Sequence, residues 1–233
     1  MLPHAGYIYS GAVAYSVLSH IEIPDTLIIL GPNHTGMGAP LSIMDEGQWR
    51  SPLGLIGINS ALAKALLKQV PLLQADFLAH QFEHSIEVEL PLVQYFKEEF
   101  SFVPIVIGSN DFKSYQHLGQ GIASVMCQMH LEKQVLIVAS SDMTHYEDAK
   151  TAKAKDTKAI QAIIELDEIK LWNTIKELDI SMCGYAPAIA MISAAKALGA
   201  KSAEVIKYQT SGDVTGDNES VVGYAGIIVG AYP

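Results

Sequence analysis

With 233 residues, 49% of them hydrophobic and only 17% charged, the chain can build a large core and is too apolar to be disordered. A net charge of −10 and a single arginine, Arg50, exclude the basic stripe that a nucleic-acid partner requires. Apolar runs stop well short of a membrane span, no signal peptide opens the sequence, and two cysteines, Cys127 and Cys183, are too few for a disulfide framework, so a soluble protein of the reducing cytoplasm is expected.

The chain opens on a histidine, His4, and a glycine-bearing turn, and apolar spacing from Gly11 to His20 predicts a helix, with His4 just ahead of it. His20, at the helix end, reads as a solvent-facing or dipole-compensating residue. Residues 26 to 30 form an apolar run that ends abruptly at Gly31, Pro32, Asn33 and His34. Runs apolar on both faces suit a parallel sheet covered by helices, and ligands of such sheets gather beyond the carboxyl ends of the strands. A single strand-end histidine is ordinarily a turn residue bonded to nearby backbone, but here the pattern recurs.

Short strands are expected at 41–44 and 53–58 around a turn from Gly47 to Pro52, followed by a helix capped at Asn59 and Ser60 and running through Val70. The next helix is placed at Glu83, His84, Ser85 and Glu87, where Pro91 sits awkwardly inside it. Glu83, His84 and Glu87 read equally as an acid/base or metal group and as an exposed acidic first turn.

A strand over 102–108 and a helix to about His130 come next, with Cys127 expected in the core. The strand from Gln134 to Ala139 ends in Ser140, Ser141, Asp142 and, three residues on, His145. That pair is either a capping aspartate beside a surface histidine or an acid/base pair. Outer-layer helices are expected over 153–166 and 167–178, then a helix ending near Gly199 with Cys183 just ahead of its first turn, where a helix N-terminus favours thiolate. A strand over 204–209, a Gly/Asp-rich loop over 210–219 and a final strand over 220–232 complete an α/β alternation, read as one domain over 1–233: three α/β/α layers with a central, mostly parallel, mixed sheet.

His4, His34, His145 with Asp142, and Cys183 each lie at an element end that such a sheet brings to one rim. Two imidazoles with a thiolate or a carboxylate supply three ligands and leave positions open on Fe, Cu or Zn.

Pro3-His4-Ala5-Gly6-Tyr7, Gly31-Pro32-Asn33-His34, Glu83-His84-Ser85-Ile86-Glu87, Ser140-Ser141-Asp142-Met143-Thr144-His145 and Cys183-Gly184-Tyr185-Ala186-Pro187 together resemble the ordered motif series of the Memo family. The resemblance implies a fold similar to the class III extradiol dioxygenases, non-haem iron enzymes, with His4, His34 and Cys183 as metal ligands and Asp142 and His145 beside them. It also implies a segment and a full strand ahead of the first motif. Cys183 stands where those dioxygenases carry a carboxylate, so ring cleavage does not follow from the likeness. Three functions fit: a redox or oxygen-handling Fe or Cu protein, with Zn as a further metal, in which Asp142 orients His145 as acid/base; a metal-free hydrolase or transferase with Cys183 as nucleophile, His145 as base and Asp142 as its orienter; and a non-catalytic binder of a peptide or small aromatic ligand in a pocket lined by Tyr7, Tyr9 and Tyr185. The last follows from eukaryotic relatives described as phosphotyrosine adaptors, although Arg50 alone offers no arginine cluster for phosphate.

Overall fold

The structure, a computed structural model, describes residues 1–108 and 111–230. Strand β1 (Thr26–Pro32) lies at the centre, parallel to β6 (Ser101–Ile107) on one side and to β7 (Val135–Ala139) on the other. Beyond β6 come β4 (Gly54–Ile58), parallel to it, and β3 (Gln48–Ser51), antiparallel to β4. Strand β2 (Leu41–Ile43) runs antiparallel to β6 and pairs with the short β5 (Gln74–Ala75). The expected turn between Gly47 and Pro52 is therefore mostly strand, and the chain reverses only at Pro52 and Leu53.

Side chains alternate across a strand, so an uninterrupted apolar run needs cover on both faces. Along β1, Ile28 and Leu30 enter one core and Leu27 and Ile29 the other, and β6 divides Val103 and Ile105 from Phe102 and Val106 in the same way. Helices α2 (Ser60–Gln69), α4 (Phe112–Gln128), α5 (Ala149–Ile164), α6 (Glu168–Glu177) and α7 (Tyr185–Ala197) supply the first core. Helices α1 (Tyr7–Leu18) and α3 (Glu89–Phe96) supply the second, which makes the three α/β/α layers. Burial of Val13, Ala14, Val17 and Leu18 marks the inward stripe of α1, which starts four residues earlier than its spacing suggested. His20 is exposed, with its Nδ1 2.6 Å from the Ser16 carbonyl at the end of that helix.

A second, antiparallel sheet orders β8 (His145–Glu147), β10 (Val221–Gly230) and β9 (Ser202–Thr210), with a short helix, α8 (Gly212–Thr215), inside the expected loop. Met1 and Leu2 join the two sheets. The Met1 amine donates to the Ile227 carbonyl and its own carbonyl accepts from Ile227, while Leu2 pairs in parallel with Ser140 next to β7. Residues 231 and 232 of the expected last strand lie outside the described residues, as do 109 and 110.

Three further expectations need correction. Helix α5 starts at Ala149, four residues before the expected 153, because Asp148 caps it by accepting the Lys150 and Thr151 N–H groups. Helix α3 begins at Glu89 rather than at Glu83, so Pro91 falls in the first turn, where a helix has no intrahelical use for the missing N–H. Cys127 is exposed, because the buried face of α4 passes through Ile122, Val125 and Met126.

Candidate metal centre

Because β6, β1 and β7 run the same way, their carboxyl ends open on one edge of the sheet, and β1 delivers Asn33 and His34 there. Leu2 runs parallel to Ser140, so His4 emerges two residues later on the same edge. Cys183 arrives from the start of α7. The Gly184 N–H donates to Ser141 Oγ at 3.0 Å, and a side chain at Gly184 would collide with the Ser140 carbonyl and Ser141, so glycine lets the two loops touch. Gly31 does the same for the 85–86 turn, since a Cβ there would stand 2.5 Å from Ser85 Oγ.

The His4 Nδ1 lies 2.8 Å from Ser140 Oγ, and its Nε2 lies 3.4 Å from Cys183 Sγ. His34 Nδ1 lies 2.8 Å from Glu83 Oε1. The rings of His4 and His34 meet edge to face at 5.2 Å. Ligand atoms of His4, His34 and Cys183 all lie within 4.8 Å of one another. Bonds of about 2.0–2.3 Å to one ion put two ligands at most about 4.6 Å apart, so the three atoms already stand close to the spacing of a single shell. Each imidazole has its Nδ1 held by a neighbouring side chain, and the His4 Nε2 faces the Cys183 sulfur, an arrangement usual for a metal-binding histidine. A soft sulfur with two imidazoles suits a transition metal and does not suit calcium or magnesium.

Electrostatics sets a cost that any metal bound here would have to meet. Burial, reinforced by the neighbouring His34 and His84, holds the His4 pKa at about 3, so its ring is neutral as a ligand must be. Burial, reinforced by the Asp142 carboxylate, pushes the Cys183 thiol up to about 12. The expectation of a ready thiolate at the helix start is thereby corrected: desolvation and a nearby anion outweigh the helix terminus. The Asp142 N–H donates to the sulfur at 3.2 Å and stands ready to stabilise charge on it. Asp142 itself is raised to about 6 by burial, against backbone donors at His4 and Ala5. Burial would also raise Glu83, but hydrogen bonds from the His34 ring and from the Ser85 and His34 N–H groups outweigh it and bring that carboxyl to about 2.

His145 begins β8 beyond the same loop, close enough for charge on it to act on both His4 and Asp142. Asp142 was expected to orient it. The structure gives that carboxylate to the His4 turn, where Oδ1 accepts the His4 N–H at 2.9 Å, and His145 Nδ1 is buried without a hydrogen-bond partner among the described residues. His145 is instead anchored by its backbone, through Ser181 Oγ at 2.8 Å. Tyr185 packs with Tyr115 and Trp172. Tyr7 is half exposed and its hydroxyl donates to the Val88 carbonyl.

Glu83 and His84, left open by the sequence, both reach the site, with His84 stacked on His34 at 4.7 Å, whereas Glu87 is exposed. Ser140 and Glu89 were missed. Ser140 Oγ donates to the Ser85 carbonyl at 2.7 Å and lies 3.1 Å from the buried Glu89 Oε1, forming a second row of groups behind His4. The sequence signal available for Glu89 was an acidic residue on the apolar stripe, three residues after Ile86 and four before Val93.

Three layers around a mostly parallel sheet, with two imidazoles and a thiol converging at its carboxyl edge, define an α/β protein with a candidate transition-metal pocket. A family model described as Memo-like protein matches residues 1–228. The chain is 44% identical over 230 residues to a MEMO1 family protein of Methanopyrus kandleri, covering 97% of this chain and 81% of that one. It is 42% identical over 226 residues to one of Methanothermobacter thermautotrophicus, covering 96% and 81%. It is 43% identical over 228 residues to one of Methanosarcina mazei, covering 97% and 84%. The chain belongs to the Memo family. An uncharacterized protein of Escherichia coli K12 shares the fold, with a TM-score of 0.62 at 13% identity over 91% of this chain and 90% of that one. No helix among the described residues is long and apolar enough to cross a membrane.

Proposed function

We propose that the protein holds one transition metal, iron or copper, with zinc as a further candidate, on His4, His34 and Cys183, and uses it for redox or oxygen-handling chemistry. The observation that carries this reading is the convergence of three ligand atoms from segments up to 179 residues apart to within 4.8 Å, with both Nδ1 atoms already occupied. When bound, the metal supplies Lewis acidity and electron transfer. The chain's own residues do the rest. Asp142 and Ser140 fix the His4 turn and ring, Glu83 fixes His34, and the Asp142 N–H faces the sulfur. In this reading His145 is the acid/base group, standing close enough to His4 and Asp142 for charge on it to act on both.

The metal-free alternative fares worse on the same geometry. A nucleophilic cysteine needs a lowered thiol pKa and a base in contact with it, and Cys183 is raised while its ring neighbour is His4, whose pKa of about 3 makes it a poor proton acceptor. Pure ligand binding leaves the convergence of two imidazoles and a thiol without a purpose. Metal analysis of protein made without a His-tag and reconstituted anaerobically decides: about one equivalent of iron or copper is expected, and under about one tenth of an equivalent of any transition metal rejects the reading.

A further inference from the structure

We infer that Glu83 is a positioning residue that fixes His34 as the Nδ1–H tautomer, with its Nε2 turned to the pocket. This rests on the metal reading for its purpose but not for its test. Glu83 is buried and accepts three N–H donors: Oε2 takes the His34 backbone N–H at 2.5 Å, and Oε1 takes the Ser85 N–H at 2.9 Å and the His34 ring at 2.8 Å. A carboxylate so surrounded has nothing to donate, so the proton of the 2.8 Å contact belongs to the imidazole. The same side chain thus holds both the backbone and the ring of His34, which fixes the direction of Nε2.

His84 completes the arrangement. Its ring lies 4.7 Å from His34 at 23°, so the plane of His34 is held by stacking while its rotation is held by Glu83. His4 is held differently, by a neutral hydroxyl. Ser140 Oγ gives its one proton to the Ser85 carbonyl, an obligate acceptor, and so receives from His4 Nδ1. A carboxylate partner makes an imidazole a stronger donor to a metal than a hydroxyl does, so His34 is the stronger of the two nitrogen ligands and Glu83 the cause.

The test is long-range 1H–15N correlation of the histidine rings in metal-free protein at a pH above the imidazole range, with His34→Gln identifying the resonances. Wild-type His34 is expected as the Nδ1–H tautomer, and Glu83→Gln as a mixture, because an amide can turn its NH2 to the ring. In parallel, Glu83→Gln should weaken metal binding by about 10–100-fold. An Nε2–H tautomer in the wild type overturns the inference without any variant, and an unchanged tautomer in a folded Glu83→Gln protein overturns it as well. Protein that binds no metal yet shows the expected tautomer rejects the metal reading alone; protein that binds metal with the wrong tautomer rejects this inference alone.

Discussion

His4 Nε2 lies 3.4 Å from Cys183 Sγ, a contact between side chains 179 residues apart that no local feature of the chain would bring together. Replacing the sulfur should therefore show what the pair is for. Cys183→Ser is expected to lower affinity for copper or iron by more than roughly 100-fold, since it removes the only soft ligand of the group, with little change in thermal midpoint. Competition with a chromophoric chelator measures this. If Cys183→Ala keeps full affinity while His145→Ala loses it, the third ligand is His145.

Asp142 stands beside the same sulfur and raises its pKa, second only to burial. In a Cys127→Ser background, which removes the exposed thiol, Asp142→Asn should bring the Cys183 thiol below its wild-type value of about 12. Thiolate absorbance against pH reads this directly. A titration that does not move would mean that the carboxylate is remote from the sulfur.

The Glu89 carboxyl is held at about 8 by burial, against an ordinary 4.5. The folded protein keeps a proton that the unfolded chain releases between those values, so Glu89 adds stability that is complete below about 4.5 and is lost as the pH rises through about 8. Glu89→Gln stays neutral throughout. The stability difference between variant and wild type should shift in the variant's favour across that window, as urea midpoints at its two ends would report. A difference independent of pH contradicts the assignment.

Asp156 is wholly buried and accepts the Thr144 N–H at 2.9 Å and the Tyr208 hydroxyl at 2.8 Å, bracing the turn that leads into His145. Tyr208→Phe removes one donor from a buried carboxylate and should cost about 1–3 kcal/mol by equilibrium unfolding. If the imidazole of His145 depends on this brace, its NMR resonances will shift in the variant, although Tyr208 makes no described hydrogen bond to it.

Much of the layered architecture was legible because it depends on local composition. Leu27 to Leu30 and Phe102 to Ile107 are apolar on both faces, and only a sheet covered twice can bury such runs. Helix starts were legible in part: Asn59 marks α2 by accepting the Leu62 N–H at 3.1 Å, whereas α5 starts four residues before its expected position although Asp148 caps it. They were misplaced at α1 and α3, where Gly6 and Val88 precede the helix without a side-chain cap.

At the site, the residue types were readable and their partners were not. His4, His34, Asp142, His145 and Cys183 announce themselves by standing at element ends, and the motif order placed them in one family. Only the tertiary structure decided that Asp142 serves the His4 turn rather than His145, that Glu83 and His84 join His34, and that Cys183 is a thiol of raised pKa. The reason is physical. Strand and helix preferences act between neighbours in the sequence, whereas a pKa or a hydrogen-bond partner depends on burial and on groups that the chain brings near only once both sheets are joined through Met1 and Leu2.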